Sequence, residues 1–219
     1  MKLTHFGHSC ILVEIDGTRV LLDPGNFSHG FTRITGLDAI LVTHQHPDHV
    51  DPQALPDLVA ANPDAVLLAD PQTAETLNRD DVAGVWTAAQ SGEVHRIGQI
   101  TARIGGGKHA VIHSEIPVID NVAYLLGDDK NPTRFVHPGD SFYAPTQPVD
   151  VLAVPSAAPW MRLSEAVDYL RAVAPKVATP IHDAVLSDAG RSTHFGRLQS
   201  MAPEATEFRL MPREGELDI

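Results

Sequence analysis

The chain has 219 residues, of which 43% are hydrophobic and 20% are charged, and its formal net charge is −12. A chain of this size buries a substantial core, and its negative charge disfavours nucleic acid as a partner because a phosphate backbone would be repelled. We therefore expect a small-molecule substrate. No window of about 18 apolar residues predicts a membrane span, and the N-terminus lacks a secretory signal pattern. The single cysteine, Cys10, cannot form an internal disulfide, and together these features predict a cytoplasmic protein.

The first half of the sequence predicts strands, a helix and a further strand. The stretch CILVEIDGTRVLLDPG, residues 10–25, predicts two strands joined by a turn at Asp16 and Gly17. DAILV at 38–42 predicts a short buried strand, PQALPDLVAANP at 52–63 a helix, and DAVLLAD at 64–70 another buried strand. The glycine-punctuated stretch from 92 to 117 carries residues typical of strands and predicts several short ones.

The second half repeats this order of elements. Strands are predicted at 121–127, 133–140, 149–160 and 176–183, with a helix at 163–175. Shifting residues 38–70 by 112 positions places them on 150–182 with six identities, and both copies read strand, loop, helix, strand. We interpret this as an internal repeat, which predicts one domain over 1–219 built from two similar halves. The last nine residues, MPREGELDI, are expected to be loosely held.

One copy of the repeat carries a loop rich in metal-ligand residues. LVTHQHPDHVD, residues 41–51, places His44, His46, Asp48 and His49 directly after a predicted strand. The equivalent positions in the second copy are Ser156, Ala158, Trp160 and Met161, so the architecture itself does not require those ligands. Imidazole and carboxylate groups suit zinc, iron and manganese. Because four ligands exceed the three that a mononuclear hydrolytic zinc site needs, the loop predicts two adjacent metal ions.

The motif HQHPDH resembles the HxHxDH signature of the metallo-β-lactamase fold superfamily, and the resemblance covers nearly the whole chain. It implies an α/β (α+β) fold, a four-layer αββα sandwich of two similar mixed β-sheets with the metals at one edge. FGHSC, LVTHQHPDH and HPGD together are most similar to small bacterial metal-dependent hydrolases related to ascorbate-6-phosphate lactonases and N-acyl-phosphatidylethanolamine-hydrolysing phospholipases.

The resemblance also implies a set of site residues. One metal would be held by His44, His46 and His109, and the other by Asp48, His49 and His182. Asp140, in HPGD, would bridge the two, and Asp23, in VLLDPG, would orient a ligand histidine. The third motif is open between His109 and His113, which both follow the glycine run; we favour His109, which leaves His113 as a substrate-side candidate. His8, in FGHSC, is a further catalytic candidate, against the alternative of a buried structural histidine.

These residues imply a hydrolase in which a hydroxide bridging two divalent metal ions attacks a small ester, lactone or phosphodiester. Zinc is the favoured metal, with manganese and iron as alternatives, and Asp48 is also a candidate proton acceptor from the attacking water. One alternative is a di-iron redox protein on the same fold, although such relatives typically carry glutamate where this chain has His46. Another is a metal-stabilised binding protein without turnover. A homodimer is the base-rate expectation for oligomeric state.

Overall fold

Within residues 1–212 and 215–219, which the structure, a computed structural model, describes, the chain forms two seven-stranded β-sheets flanked by helices. The first sheet contains β1 (Lys2–His5), β2 (Ile11–Ile15), β3 (Thr18–Leu22), β4 (Ala39–Val42), β5 (Val66–Ala69), β6 (Thr87–Ala88) and β14 (Glu216–Asp218). The second contains β7 (Val94–Ile97), β8 (Ile100–Gly106), β9 (Val122–Gly127), β10 (Phe135–His137), β11 (Val151–Pro155), β12 (Val177–Ile181) and β13 (Glu207–Phe208). The helices are α1 (Leu55–Ala60), α2 (Pro71–Arg79), α3 (Leu163–Val173) and α4 (Asp188–Met201).

The two sheets share one topology. Their strand orders are β14-β1-β2-β3-β4-β5-β6 and β7-β8-β9-β10-β11-β12-β13. In each, the first four strands pair antiparallel and the remaining three continue in parallel. The unit β4-α1-β5 corresponds to β11-α3-β12, which is the repeat that the sequence predicted. Its parallel strands place their carboxyl ends at the same edge of each sheet.

Alternating side chains assign the layers. In β4, Ala39 and Leu41 point into the central hydrophobic cluster, whereas Ile40 and Val42 pack on the outer face with α1 and α2. The central cluster draws residues from both sheets, and a third cluster joins the second sheet to α3 and α4. Because successive residues of a strand point to opposite faces, this pattern makes both sheets two-sided and covers the outer faces with helices. The predicted αββα sandwich is confirmed.

Three local expectations differ from the structure. The predicted helix at 52–63 begins only at Leu55. The strand-type residues 110–119 form no strand and instead make a loop between β8 and β9. Helix α4 was not predicted, because its sequence lacks an apolar stripe and it buries only Leu198. No helix in the described ranges is both long and apolar enough to cross a membrane.

The C-terminus was expected to be loosely held, and for its last strand this was wrong. Strand β14 pairs antiparallel with β1 at the edge of the first sheet. The Lys2 ammonium donates to Glu216 at 2.8 Å, and the Met1 amino group donates to the carbonyl of Ile219 at 2.9 Å. Pairing with the edge of β1 supplies hydrogen bonds that no local pattern in the tail predicts. Arg213 and Glu214 lie outside the described residues.

Candidate metal centre

The predicted site residues follow strand ends along one edge of the sandwich. In the first sheet, Asp23 follows β3 and the loop with His44 follows β4. In the second sheet, Asp140 lies three residues after the end of β10 and His182 directly follows β12. The backbone brings the Asp23 and His44 loops together, because the amide of Asp23 donates to the carbonyl of Leu41 at 2.9 Å. The two halves of the repeat thus contribute residues to a single edge.

The ligand-type side chains gather into two groups, and within each group the candidate ligand atoms lie within 4.8 Å of one another. The first group is His44, His46, His109 and Asp140, and the second is His8, Asp48, His49 and His182. Asp140 faces both groups. Its Oδ1 lies 3.1 Å from His49 Nε2 and 3.2 Å from His182 Nε2, and its Oδ2 lies 3.3 Å from His109 Nε2. A carboxylate in this position has one oxygen for each group.

Three of the histidines are held with the same nitrogen facing inward. The Nδ1–H of His49 donates to Asp23 at 2.7 Å. The Nδ1–H of His109 donates to the carbonyl of Ala110, and that of His182 donates to the carbonyl of Ala157, each at 2.6 Å. A carboxylate or carbonyl only accepts, so Nδ1 carries the hydrogen in each ring. Nε2 is therefore the nitrogen on the side that faces Asp140, and it is the atom that each ring would offer to a metal.

Several of these inward atoms have no hydrogen-bond partner. Among the described residues, the buried side-chain atoms without one include His49 Nε2, His109 Nε2, His182 Nε2 and Asp140 Oδ1. Buried polar atoms are normally satisfied, and a group of unsatisfied nitrogen and oxygen atoms calls for a partner. All four are Lewis bases of the type that binds zinc, manganese or iron. The residues therefore fit the pair of metal ions that the sequence implied.

Asp23 is fully buried and accepts three hydrogen bonds. Its Oδ1 accepts from the backbone N–H of Thr43 at 2.8 Å, and its Oδ2 accepts from the Thr43 hydroxyl at 2.8 Å and from His49 Nδ1 at 2.7 Å. The Thr43 hydroxyl in turn lies 3.0 Å from Nδ1 of His44 and accepts its hydrogen. Asp23 thus lies where the sequence placed it, behind a ligand-type histidine, and it aligns a second histidine through Thr43.

His8 contacts the second group as a hydrogen-bond donor. Its Nδ1 accepts from the backbone N–H of Ala184 at 3.3 Å, so its Nε2 carries the hydrogen and donates to Asp48 Oδ2 at 3.0 Å. The ring also stacks against His182 with centroids 4.0 Å apart. Burial lowers the pKa of His8 to about 4, so the ring is neutral at physiological pH. His8 therefore positions Asp48 through a hydrogen bond, and neither nitrogen of the His8 ring is free to bind a metal.

A cation that binds at this centre would compete with protons. Burial by itself would lower the pKa of His182, but the Asp140 and Asp48 carboxylates outweigh it and raise that pKa to about 9. The pKa of His49 is also raised, because Asp140 and Asp23 outweigh its burial. Burial would raise the pKa of Asp140, but His49 and His182 hold it well below its usual value. Metal binding to His49 and His182 would therefore displace protons from both rings.

The structure separates the two candidates for the third motif. His109 lies in the first group with its ring buried. His113 is exposed, accepts from the backbone N–H of Glu115 at 3.2 Å and belongs to neither group. The amide of Ile116 donates to the carbonyl of His113 at 3.0 Å, which forms a turn in this loop. His113 therefore lies outside the ligand-type groups and stays a candidate on the substrate side.

Two residues beyond the predicted set position Asp140. The indole N–H of Trp160 donates to Asp140 Oδ2 at 2.7 Å, and the backbone N–H of Asp140 donates to the side-chain oxygen of Asn121 at 2.9 Å. The internal repeat contained the signal for Trp160, because that residue aligns with Asp48 in the loop that mirrors the metal loop. No sequence pattern marked Asn121.

Gly25 explains why the first-sheet loops pack closely. A Cβ added at Gly25 would lie 1.9 Å from the backbone oxygen of Asp48, a distance that no side chain tolerates. Only glycine permits this approach between the turn after β3 and the ligand-rich loop. The DPG turn in the sequence thus has a structural role in placing Asp48 and His49.

Comparisons with known proteins agree with this geometry. The model of the Beta-lactamase superfamily domain matches residues 2–182. Protein Rv0786c of Mycobacterium tuberculosis is 55% identical over 98% of both chains. A UPF0173 protein of Pyrococcus furiosus is 31% identical over 98% of this chain and 99% of its own, and a UPF0173 metal-dependent hydrolase of Carboxydothermus hydrogenoformans is 29% identical over 92% and 95%.

Solved structures share the fold. A metallo hydrolase of Ignicoccus hospitalis superposes with a TM-score of 0.72 at 19% identity, covering 100% of this chain and 98% of that one. A diiron β-hydroxylase of Streptomyces venezuelae superposes with a TM-score of 0.73 at 16% identity, covering 100% of this chain and 54% of its own. The structural likenesses show the fold, and the sequence relatives show the family. The chain belongs to the β-lactamase superfamily and, within it, to the UPF0173 family.

Proposed function

We propose that the protein is a hydrolase that uses two divalent metal ions to cleave a small ester, lactone or phosphodiester. The observation that carries the proposal is the set of buried, unpartnered Nε2 and carboxylate atoms on both sides of Asp140. UPF0173 relatives that are named metal-dependent hydrolases support the same class. Zinc is the metal we favour, because the ligand set consists of imidazoles and carboxylates.

The two groups divide the ligands between the ions. His44, His46 and His109 would hold one ion, and Asp48, His49 and His182 the other, with Asp140 between them. When bound, two such cations would make water a nucleophile at neutral pH and would polarise the substrate oxygen, so no serine or cysteine nucleophile would be needed.

The remaining side chains keep these ligands aligned. Asp23 holds the Nδ1–H of His49, and Trp160 holds Asp140 Oδ2. His8 holds Asp48 Oδ2. Burial would raise the pKa of Asp48, but the imidazoles of His182 and His8, whose Nε2 atoms lie 3.5 and 3.0 Å from its Oδ2, keep it below its usual value. A general base works best with a pKa near the working pH, so Asp48 is better suited to binding metal than to accepting a proton.

Elemental analysis of protein purified without added metal tests the proposal. We expect about two zinc or manganese ions per chain, and their loss in the double variant His44→Ala, His46→Ala. A matched control, His29→Ala with His95→Ala, removes two histidines that belong to neither group and should retain the metal. Loaded protein should then hydrolyse members of a panel of esters, lactones and phosphodiesters. Wild-type protein that binds no divalent metal would refute the proposal.

The same experiment separates the alternatives. The likeness to a diiron hydroxylase shows that this fold also carries redox chemistry in another protein. Two irons per chain with visible absorbance and no hydrolysis would assign the protein to that class. Tight metal binding without turnover of any panel member, with a metal-dependent rise in thermal stability, would assign it to the metal-stabilised binding proteins.

A further inference from the structure

The loop that follows His109 is unusually apolar for an exposed segment. Residues 110–119 read AVIHSEIPVI, and the side chains of Val111, Ile116 and Val118 are 61%, 47% and 43% exposed. Single exposed aliphatic residues are ordinary, but here three of them lie within eight consecutive residues, so this loop is more apolar than exposed segments usually are. The loop also forms no strand that would need these residues for pairing.

Beneath this loop lies a cavity of about 240 Å³ that reaches the metal centre. His46 and His109 form one wall, and the rest of the lining is Ala110, Ile112, Ile116, Pro117, Val118 and Ile119. We call this cavity the apolar subsite. Among the described residues, no charged side chain lines it, so a phosphate or carboxylate placed there would lose its hydration without compensation. An apolar cavity of roughly 150 Å³ holds a benzene ring, so this one has room for an aryl group or a short alkyl chain.

The loop is fixed to the same backbone that positions the ligand-type residues. The amide of His109 donates to the carbonyl of Ile119 at 3.0 Å, and the amide of Ala110 donates to the carbonyl of Asp140 at 2.9 Å. The amide of Gly107 donates to the carbonyl of Asn121 at 2.8 Å. These bonds hold the apolar subsite at a set distance from the centre before any substrate arrives, which reduces the entropy cost of binding.

We propose that the apolar subsite binds an uncharged aryl or alkyl group next to the scissile bond, so that the substrate is a carboxylic ester or lactone with an apolar substituent. This inference rests on the proposed hydrolase function and narrows its substrate class. In the reaction, the oxygen of water bonds to the carbonyl carbon and the acyl C–O bond breaks. One proton goes to the departing alkoxide and the other remains with the carboxylic acid, so no oxidant or reductant is needed.

A chain-length series on zinc-loaded protein tests the proposal. For 4-nitrophenyl esters and alkyl-substituted lactones of increasing length, kcat/KM should rise about fourfold per methylene until the cavity is filled. In Ile116→Asn, the ratio of kcat/KM for a six-carbon over a two-carbon acyl group should fall at least about tenfold. The control is Val85→Asn, which changes an aliphatic side chain that is 82% exposed and does not line the cavity, and it should keep the wild-type ratio.

Binding of the product carboxylic acids, measured by calorimetry over the same lengths, keeps the test independent of turnover. If no ester or lactone is cleaved but affinity rises with length and the rise is lost in Ile116→Asn, the apolar subsite stands and the hydrolase assignment fails. If esters are cleaved with a ratio near one in both wild type and Ile116→Asn, the apolar subsite is refuted. A flat series accompanied by a dimer-to-monomer change in Ile116→Asn, seen by light scattering, would instead make the loop an interface between copies.

Discussion

Replacing Asp23 by asparagine tests whether the buried hydrogen bonds behind the ligands set metal affinity. The wild-type carboxylate offers two acceptor oxygens to three donors: the Thr43 amide, the Thr43 hydroxyl and His49 Nδ1–H. Asparagine has the same shape but only one acceptor oxygen. Whichever way its amide is turned, an N–H of the side chain faces at least one of these donors, so a buried hydrogen bond is lost.

The magnitude follows from the kind of bond that is lost. A hydrogen bond from an imidazole to a buried carboxylate contributes about 1.5–3 kcal/mol, and loss of such an outer partner typically weakens metal binding about 10–100-fold. We therefore expect the zinc dissociation constant of Asp23→Asn to rise by that factor, measured by competition with a chromophoric chelator at constant pH.

Asp70→Asn is the matched control for this measurement. Asp70 is also fully buried and also follows a strand, but it caps α2 by accepting from the amides of Gln72 and Thr73 and belongs to neither ligand group. Its zinc affinity should equal that of the wild type. If Asp23→Asn, folded as judged by circular dichroism, also binds zinc with wild-type affinity, then His49 is not held as a ligand through Asp23 and the reasoning fails.

Three further predictions concern protonation and close packing. Burial raises the pKa of Asp70 to about 6, so the stability that the protonated carboxyl contributes is lost as the pH rises through that value. In urea titrations above about pH 6, the free energy of unfolding of Asp70→Asn should exceed that of the wild type by at most about 3 kcal/mol. Below about pH 4 the two free energies should converge. Because the pKa of His182 is about 9 without metal, zinc binding should release the proton of its ring. Zinc affinity should then rise about tenfold per unit increase in pH for each proton released, as measured by calorimetry in buffers of different protonation enthalpy. An affinity that does not change with pH would contradict this. Gly25→Ala should lose bound zinc because its Cβ would collide with Asp48, whereas Gly196→Ala, whose Cβ meets nothing within 4 Å, should keep its zinc and gain up to about 1 kcal/mol of stability.

The sequence by itself determined the features that depend on local spacing. His44, His46, Asp48 and His49 lie within six consecutive positions, and the strand before them limits how they can point, so a metal-ligand loop was predictable from the residues alone. The two-sheet architecture followed from hydrophobic runs and from the repeat, because equivalent patterns fold into equivalent units. The resemblance to a known superfamily then supplied the distant residues Asp140 and His182.

Only the tertiary structure decided how distant segments meet. The Nδ1 of His8 accepts from the amide of Ala184, which is 176 residues away in the chain, and this bond leaves Nε2 as the donor to Asp48. Trp160 donates to Asp140 from a loop that the sequence marked only as the counterpart of the metal loop. His109 and His113 both follow the glycine run, and only the fold places His109 among the ligand-type side chains. Such contacts depend on the packing of two sheets and their edge loops, which periodicity along the chain does not encode. Local physics thus determined the elements and the ligand-rich loop, and long-range packing determined the hydrogen-bond partners, protonation and cavity of the site.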